Sequence, residues 1–518
     1  MFETAELNQR IGKAEYNKAV PGLRTELLEI QQELRQAEIP VIIVFGGVDA
    51  ASKNEVVNRL NEWLDPRWLH THAYGPLSDE EAQRPEFWRY WRDLPPKGQI
   101  GIFLSAWYST PIVQRAYGKI DQDQFDKSLE RIVNFERALA HDGALIMKFW
   151  MHLGRTAQKK RFKSFEKDPL LSWRVTEADW QNLEHYDDFV AAAERAIARS
   201  NTGEAPWQIV EGFDSRFAEL VVARSLRDRA QQHLTETRLR REVAEAMSRE
   251  KDQQSEGAAT CEDSNYSAES PGAPHCRPLT ILGALDMEKA LAKKSYRNEL
   301  AAYQAKLHHM EREAVRAGVS GVLVFEGWDA GGKGGAIRRV TRSLNARDYR
   351  VIPIAAPTDE EDLYHYLWRF WRHLSRAGRM TIFDRSWYGR VLVERVEGFA
   401  DEQEWRRAYA EINDFEEQLA AHGTCICKFW LHITPEEQLS RFKAREQVSY
   451  KRWKLTDEDW RNRDKWHLYE EAANDMIERT STSHSPWTLV EANNKPYARV
   501  EVLRKVCESL GNALGEGH

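Results

Sequence analysis

Cysteine is scarce in this chain, with five among 518 residues. An odd and sparse set of cysteines in a long chain fits a reducing cytosol better than a disulfide-stabilised secreted scaffold. Long apolar runs are missing too, because the strips at residues 41–45 and 322–325 fall far short of the roughly 20 residues of a membrane span. The first residues show no basic region followed by an apolar run. We therefore expect a cytoplasmic protein with no membrane partner.

An excess of positive charge is absent as well. The 74 Lys and Arg against 81 Asp and Glu give a net charge of −7, which argues against nucleic acid as a partner but permits local basic clefts. Cys425 and Cys427 have no second cysteine pair to complete a zinc site. The hydrophobic fraction of 42% excludes wholesale disorder.

The chain repeats itself at a constant offset of 280 residues. Lys53 matches Lys333, and the tryptophans at 88, 107, 150, 180 and 207 match those at 368, 387, 430, 460 and 487. A period this long indicates two tandem domains rather than a solenoid. The polar stretch 248–278, rich in Ser, Gly and Pro, reads as a linker. We predict domains at 1–247 and 279–518.

Apolar strips alternate with helical patterns in each half. In the second half we predict strands at 321–325, 349–354, 380–383 and 424–431, and helices at 291–317, 360–374 and 402–422. Uniformly apolar strands separated by helices indicate a parallel sheet covered on both faces. The predicted fold class is α/β, doubly wound and duplicated in tandem.

A glycine-rich turn follows the first of these strands. Gly327, four further residues and then Gly332-Lys333 have the spacing of a P-loop, whose backbone N–H groups and lysine surround phosphate oxygens. The hydroxyl residue that normally follows the lysine is replaced by Gly334, so Mg²⁺ would depend on carboxylates. Asp329 inside the loop would repel phosphate unless it holds a metal ion or takes a proton, which makes it a candidate metal ligand or general base. The alternative is a tight turn without a ligand.

Charged residues follow the later strands. Asp384 stands at the carboxyl end of the strand 380–383, where it would hold Mg²⁺ or, alternatively, cap a helix. Arginines follow the loop, among them Arg338 and Arg342, and a second basic stretch runs from Arg441 to Arg463. We interpret the second stretch as a cationic lid over phosphates. The alternative is a set of solvated helix faces paired with acidic residues.

Three segments together resemble one known family. The loop GWDAGGKGG, the segment FDRSWYGR and the segment KRWKLTDEDW are similar to those of the polyphosphate kinase 2 family, over nearly all of both halves. The resemblance implies a P-loop kinase-like three-layer α/β/α fold with a helical lid, Mg²⁺ dependence, and phosphoryl transfer between inorganic polyphosphate and a nucleotide. The tandem arrangement resembles members associated with phosphorylation of AMP to ADP. The resemblance carries site roles over to the following residues: Asp329, Gly332, Lys333, Asp384, Arg385, Lys451 and Arg452.

The first repeat has lost most of these residues. Ala51, Ser52 and Asn54 replace the loop glycines Gly331, Gly332 and Gly334, and Leu104 and Ser105 replace Asp384 and Arg385. We expect the new loop side chains to crowd an incoming phosphate and to disfavour positive φ. Asn58, Glu62, Thr110, Leu171 and Ser172 stand where the second repeat has Arg338, Arg342, Arg390, Lys451 and Arg452.

Residues that persist in a decayed copy are more often structural, and residues that vanished are more often chemical. We therefore predict that only the C-terminal domain is catalytic. Its predicted catalytic residues are Asp329, Lys333, Asp384 and Arg385, with Asp329 and Asp384 as metal ligands. Its predicted phosphate-binding residues are Gly327, Gly331, Gly332, Gly334, Arg338, Arg342, Arg390, Lys451 and Arg452.

Two other functions share part of this pattern. An ATP-dependent nucleoside monophosphate kinase also uses a P-loop, arginines and a lid, although the missing hydroxyl after Lys333 and the long basic stretch argue against it. A non-catalytic polyphosphate- or nucleotide-binding regulator would explain the decayed first copy. The predicted partners are inorganic polyphosphate and AMP or ADP, and the sequence leaves homo-oligomer formation open.

Overall fold

The computed structural model describes residues 1–258, 280–447 and 457–515. Contacts divide them into two compact units. The N-terminal unit holds the residues up to Pro76 and, from Asp93, the rest of the first range. The C-terminal unit holds the segment Leu77–Arg92 and the described residues from 280 onwards. A helix, Ser215–Ala258, extends into the predicted linker 248–278, and residues 259–278 of that linker lie outside the described ranges.

The N-terminal unit alternates strands and helices along the chain. Its strands are β1 (Val41–Gly47), β2 (Leu69–Ala73), β3 (Ile100–Leu104), β4 (Leu145–His152) and β5 (Trp207–Glu211). Its α-helices are Lys13–Gln36, Lys53–Trp63, Ser109–Ala116, Gln122–His141, Arg155–Lys167, Glu177–Glu184, Tyr186–Ser200 and Ser215–Ala258. Short 3₁₀ turns occupy Glu3–Ala5, Pro66–Trp68 and Ser172–Arg174.

The C-terminal unit repeats this order. Its strands are β6 (Gly321–Gly327), β7 (Tyr349–Pro353), β8 (Met380–Asp384), β9 (Cys425–His432) and β10 (Trp487–Glu491). Its longer α-helices are Lys293–Ala317, Lys333–Thr341, Glu402–Ala421, Pro435–Glu446, Asp457–Asp464, Trp466–Thr480 and Lys495–Ala513. Its short helices and 3₁₀ turns are Asp79–Ala82, Trp88–Arg92, Glu361–Leu363, Trp368–Trp371, Trp387–Val391 and Val393–Glu397.

Both sheets are parallel and have the same strand order. The described strands run β2-β3-β1-β4-β5 in one unit and β7-β8-β6-β9-β10 in the other. In the second sheet β6 lies between β8 and β9, with Phe325 in register with both Asp384 and Phe429. The carboxyl ends of β6 and β8 therefore meet at one edge, where doubly wound sheets bind ligands. The predicted tandem α/β fold is confirmed.

The central strands are buried on both faces, which explains their apolar sequences. Val322, Leu323, Val324 and Phe325 of β6 are each at most 3% exposed, because helices cover the sheet on either side. Phe325 stacks on Phe429 of β9, with ring centroids 5.2 Å apart.

A fully buried lysine in β9 interrupts this apolar pattern. Lys428 Nζ donates to Glu416 Oε2 (2.7 Å), to the Tyr388 hydroxyl (2.9 Å) and to the Thr480 carbonyl (2.7 Å). The N-terminal unit builds the same cluster from Lys148, Glu136, Tyr108 and Ser200, with the same three distances. We name these the lysine clusters. A fully buried charge is tolerated only when its hydrogen bonds are made in this way.

The prediction of a single tryptophan-rich helix at 360–374 is wrong. The structure has a 3₁₀ turn at Glu361–Leu363 and one helical turn at Trp368–Trp371, separated by extended backbone at Tyr364. Tyr364 folds back to stack on Trp368, with ring centroids 3.9 Å apart. Arg372 lies over the same indole ring at 4.7 Å, which is the cation–π contact expected of a packing segment.

The segment Leu77–Arg92 comes from the first repeat but belongs to the C-terminal unit. Within that unit Trp91 stacks on Trp371, with ring centroids 5.8 Å apart. Arg84 donates from Nε to the Leu374 carbonyl at 3.2 Å. Among the described residues, no helix is both long and apolar enough to cross a membrane.

Candidate active site

The glycine-rich loop joins β6 to the helix Lys333–Thr341. Gly327 has φ 130°, and a Cβ atom there would lie 2.4 Å from the Leu431 carbonyl oxygen, so no other residue fits. Gly332 has φ 114° and precedes the helix directly. Ala330 also adopts a left-handed conformation, with φ 61°. These turns give the loop the strand-to-helix course that a phosphate-binding loop requires.

An arginine from a different element fixes the loop from behind. Arg441 of the helix Pro435–Glu446 donates from Nη1 to the carbonyls of Ala330 (2.8 Å) and Gly331 (3.0 Å). From Nη2 it donates to the carbonyls of Ala492 (2.6 Å) and Asn493 (3.0 Å). The side chain is 4% exposed. Arg441, which the sequence placed in the cationic lid, instead holds the loop against the end of β10.

The loop lysine lies at the base of the site. Lys333 Nζ donates to the carbonyls of Gly327 (2.5 Å) and Trp328 (3.3 Å). Burial lowers its pKa, and the positive charge of Arg385 adds to that effect, while Asp329, Asp384 and Glu326 oppose it. A buried ammonium group beside a second cationic group, Arg385, is stabilised by a ligand that brings its own negative charge.

Asp329 forms an ion pair across the loop. Its Oδ1 accepts from Arg385 Nη2 at 2.8 Å and its Oδ2 accepts from Asn462 Nδ2 at 2.9 Å. Burial would raise the pKa of this carboxyl, but Lys333, Arg385 and Asn462 outweigh it and the pKa is lowered. Asp329 is therefore ionised at neutral pH, which is the form that both predicted roles, metal ligand and general base, require.

Asp384 and Arg385 stand where β8 ends. The Arg385 backbone N–H donates to the Phe325 carbonyl at 3.1 Å, which brings it beside the loop. Arg385 adopts φ 64°, a strained conformation for an arginine, and strain of this kind occurs at functional sites. Asp384 acts electrostatically on both Lys333 and Glu326.

Sequence analysis missed one acidic residue in this site. Glu326 precedes Gly327, is 5% exposed, and accepts from Ser386 Oγ at 2.8 Å. Burial raises its pKa. The first repeat has Gly46 at the matching position, so the comparison of repeats that singled out Asp384 could also have found Glu326.

Most of these groups open onto one cavity of about 70 Å³, and Asp384 is not part of its lining. Gly327, Asp329, Lys333 and Arg385 line it together with Glu326, Trp430, Asn462 and Tyr469. Trp328 stacks on Trp466 with ring centroids 3.5 Å apart, and its Nε1 donates to His432 Nδ1 at 3.1 Å. The cavity therefore combines a charged base with an aromatic wall.

The other predicted phosphate-binding residues lie outside this lining. Arg338 and Arg342 are exposed on the helix after the loop, and Arg338 Nε donates to the Gly334 carbonyl at 3.0 Å. Arg390 pairs with Glu394 (3.2 Å) and Glu404 (3.8 Å). Gly331 is buried beneath the loop. Lys451 and Arg452 lie outside the described residues.

A second arginine of the predicted lid also has a packing role. Arg463 Nη1 donates to the Pro435 carbonyl (2.7 Å) and to Gln438 Oε1 (3.1 Å). Gln438 Nε2 in turn donates to the Asp329 carbonyl at 3.1 Å. Arg463 therefore positions the loop indirectly through Gln438.

A glycine-rich loop with a half-buried lysine, facing an acid and an arginine at the end of the neighbouring parallel strand, defines a P-loop kinase-like α/β unit. The family model for polyphosphate kinase 2 (PPK2) matches residues 10–238 and 290–516. The chain belongs to the polyphosphate kinase 2 family, and the resemblance drawn from its three segments is confirmed.

Full-length relatives agree with this assignment. The chain is 47% identical to a polyphosphate:AMP phosphotransferase of Pseudomonas aeruginosa over 98% of both chains. It is 44% identical to one of Pseudomonas syringae pv. tomato over 99% of both chains. A crystal structure from Pseudomonas aeruginosa PA01, described as a polyphosphate kinase 2, covers 100% of both chains with a TM-score of 0.86 and 45% identity.

Proposed function

We propose that this protein transfers the terminal phosphoryl group of inorganic polyphosphate to AMP. The P–O bond to the terminal phosphorus of the chain breaks and a bond to an oxygen of the AMP phosphate forms. The products are ADP and a polyphosphate shorter by one unit. Support comes from the names of the full-length relatives. The observation that carries the proposal is the cluster of Lys333, Asp329 and Arg385 around one cavity at the sheet edge.

The C-terminal site supplies positioning and charge rather than covalent chemistry, as phosphoryl transfer requires. Lys333 and the N–H groups of the loop hold phosphate oxygens, and Lys333 can exchange its bonds to the Gly327 and Trp328 carbonyls for bonds to the ligand. Arg385, held by Asp329 at 2.8 Å, reaches the transferring group. Arg338, Arg342, Lys451 and Arg452 are assigned to the outer phosphates of the chain.

The carboxylates of this site fit Mg²⁺. Mg²⁺ is usually held by one or two carboxylates together with water and substrate phosphates, rather than by an all-protein cage. Asp329 is ionised and Asp384 lies at the adjoining strand end, and the described residues contain no cluster of three or more acidic, His or Cys ligands that would bind a metal alone. Asp329 and Asp384 would hold the ion. When bound, it neutralises charge on the phosphate oxygens.

A donor exchange tests the substrate assignment. The full chain is incubated with AMP and Mg²⁺, with either polyphosphate or ATP as donor, and ADP is measured by chromatography. We expect ADP to form with polyphosphate and only slowly with ATP. Turnover with ATP alone would identify a nucleoside monophosphate kinase instead, and no turnover with either donor would favour a binding protein.

Matched substitutions test the assignment of chemistry to the C-terminal unit. Lys333→Ala and Lys53→Ala remove the same side chain from the two loops. We expect the first to abolish ADP formation and the second to leave the rate unchanged. If Lys53→Ala abolishes turnover while the protein stays folded, the N-terminal unit takes part in the reaction.

A further inference from the structure

The N-terminal unit keeps a cavity at the position that matches the active site. It measures about 130 Å³, against about 70 Å³ in the C-terminal unit. Asp49, Lys53 and Asn182 line it at positions that correspond, at the offset of 280, to Asp329, Lys333 and Asn462. Decay of the catalytic residues has not closed this space.

The loop under this cavity also keeps its backbone course. Ala50 and Ser52 have φ 58° and 61°, which reproduces the left-handed turns of the C-terminal loop. Ala51 and Ser52 are buried, and Ser52 Oγ donates to the Gly212 carbonyl at 2.9 Å. Arg161 holds the loop from behind by donating to the Ala50 carbonyl at 2.5 Å. Ala51 and Ser52 are therefore absent from the cavity lining, and Ser52 adopts the positive φ that a side chain was expected to disfavour.

The N-terminal cavity has lost charged side chains of both signs. Ser105 stands in the lining where the active site has Arg385, and Gly46 stands where it has Glu326. The lining keeps one acidic and one basic side chain, Asp49 and Lys53. Polyphosphate therefore meets a single Lys or Arg side chain in this lining, whereas the active-site lining offers it both Lys333 and Arg385.

The lost side chains were large, which accounts for the greater volume. Gly46, Val48 and Ser105 replace Glu326, Trp328 and Arg385. The remaining walls are largely aromatic, with Trp150, Tyr186 and Phe189 lining the cavity. Aromatic walls around a concave space favour a flat, uncharged ring.

Two buried polar atoms in these walls have no hydrogen-bond partner among the described residues. They are Gln158 Oε1 and Trp150 Nε1, in side chains that are 2% and 1% exposed. In the active site the matching Gln438 Oε1 accepts from Arg463, but the N-terminal unit has Leu183 at that position. Both atoms are themselves closed to solvent, so they are unpaired polar groups behind the cavity wall rather than contacts that the cavity offers to a ligand.

We propose that the N-terminal cavity binds a nucleoside without turning it over. The base lies between the aromatic walls. The Asp49 carboxylate, which Asn182 Nδ2 orients at 3.2 Å, accepts from its amine or hydroxyl groups. This proposal is independent of the reaction assigned to the C-terminal unit.

Calorimetry tests nucleoside binding to the N-terminal cavity. The full chain is titrated with adenosine, AMP and polyphosphate in separate experiments, with EDTA present. Val113→Trp fills the cavity from an exposed position on its helix, and Asp49→Ala removes an acceptor. Asp329→Ala is the matched control in the other unit. We expect adenosine binding that both N-terminal variants weaken by about tenfold or more and that the control leaves unchanged. Melting curves establish that each variant is folded. If Val113→Trp does not fold, the adenosine affinity of Asp49→Ala alone tests the proposal.

Three results would overturn the proposal. The first is no adenosine binding at millimolar concentration, and the second is binding lost in Asp329→Ala but kept in Asp49→Ala. The third is polyphosphate binding that Val113→Trp abolishes, which would make the cavity a phosphate site. ADP formation by Val113→Trp is measured alongside and should equal that of the wild type. Because ADP formation and adenosine binding are measured separately, a failure of the reaction assigned to the C-terminal unit is distinguished from a failure of nucleoside binding to the N-terminal cavity.

Discussion

Replacing Arg385 with alanine removes a guanidinium group that contacts Asp329 and faces the cavity where the phosphoryl group would transfer. The Arg385 side chain is 41% exposed. An ion pair with such exposure contributes about 0–1 kcal/mol to stability. Loss of an arginine that stabilises the transition state of phosphoryl transfer lowers kcat by about 10³ or more. We therefore expect Arg385→Ala to stay folded and to lose most of its turnover.

The assay measures initial rates of ADP formation over a range of polyphosphate and AMP concentrations. If Arg385 acts on the transition state, kcat should fall far more than KM rises. Arg385→Gly separates the charge from the backbone, because glycine adopts φ 64° without strain. It should melt at or above the wild-type temperature and be as inactive as the alanine variant.

Ser105→Ala provides the matched control, since Ser105 holds the same position in the N-terminal unit, with φ 50°. It should leave the rate unchanged. A change in KM alone, or a fall in kcat of less than about tenfold, would refute the role given to Arg385 and reduce it to ground-state binding of phosphate.

Three further predictions concern stability and the metal ion. Glu416→Ala leaves Lys428 buried without its partner and should destabilise the C-terminal unit by about 3–5 kcal/mol in urea unfolding, whereas Glu416→Leu combined with Lys428→Met should recover much of that loss. Burial lowers the pKa of His432 to about 4, so unfolded protein binds a proton that native protein does not, and stability should fall by about 3 kcal/mol as pH drops from about 6.5 to 4. His432→Gln should flatten this part of the melting curve against pH, and an unchanged pH dependence would contradict the assignment. Asp384→Asn should melt like the wild type but need more Mg²⁺ for half-maximal turnover, and wild-type Mg²⁺ dependence would show that Asp384 is only a structural residue.

Sequence patterns identified the fold because apolar strands and the loop spacing are local signals. The strand at 380–383 ends within one residue of β8, and Gly327 to Lys333 form the expected strand-to-helix turn. The tryptophan segment at 360–374 was assigned wrongly because its aromatic side chains pack in several directions around Tyr364. Helical spacing cannot distinguish such packing from one buried helix face.

The site was predicted in part for the same reason. Asp329, Lys333 and Arg385 lie close to glycine-rich or strand-end signals, and the structure brings them to one cavity. Asn462 reaches Asp329 from 133 residues further along the chain, and nothing local in the sequence marks that contact. Arg441 was predicted to belong to the lid because the sequence shows its charge. The sequence does not show that its side chain is buried, with 4% exposed.

The hydrogen bonds from Arg441 to the loop carbonyls have a thermodynamic consequence. Four carbonyl oxygens from two separate stretches of chain converge on one guanidinium group, so the loop is ordered before any phosphate arrives. When the loop is already ordered, ligand binding does not reduce the conformational entropy of the loop further. More of the interaction energy between ligand and loop therefore appears as binding affinity. Arg161 provides the same restraint in the N-terminal unit, where it bonds to the Ala50 and Gly212 carbonyls. In both units, the loop is thus ordered by an arginine that bonds to the loop backbone.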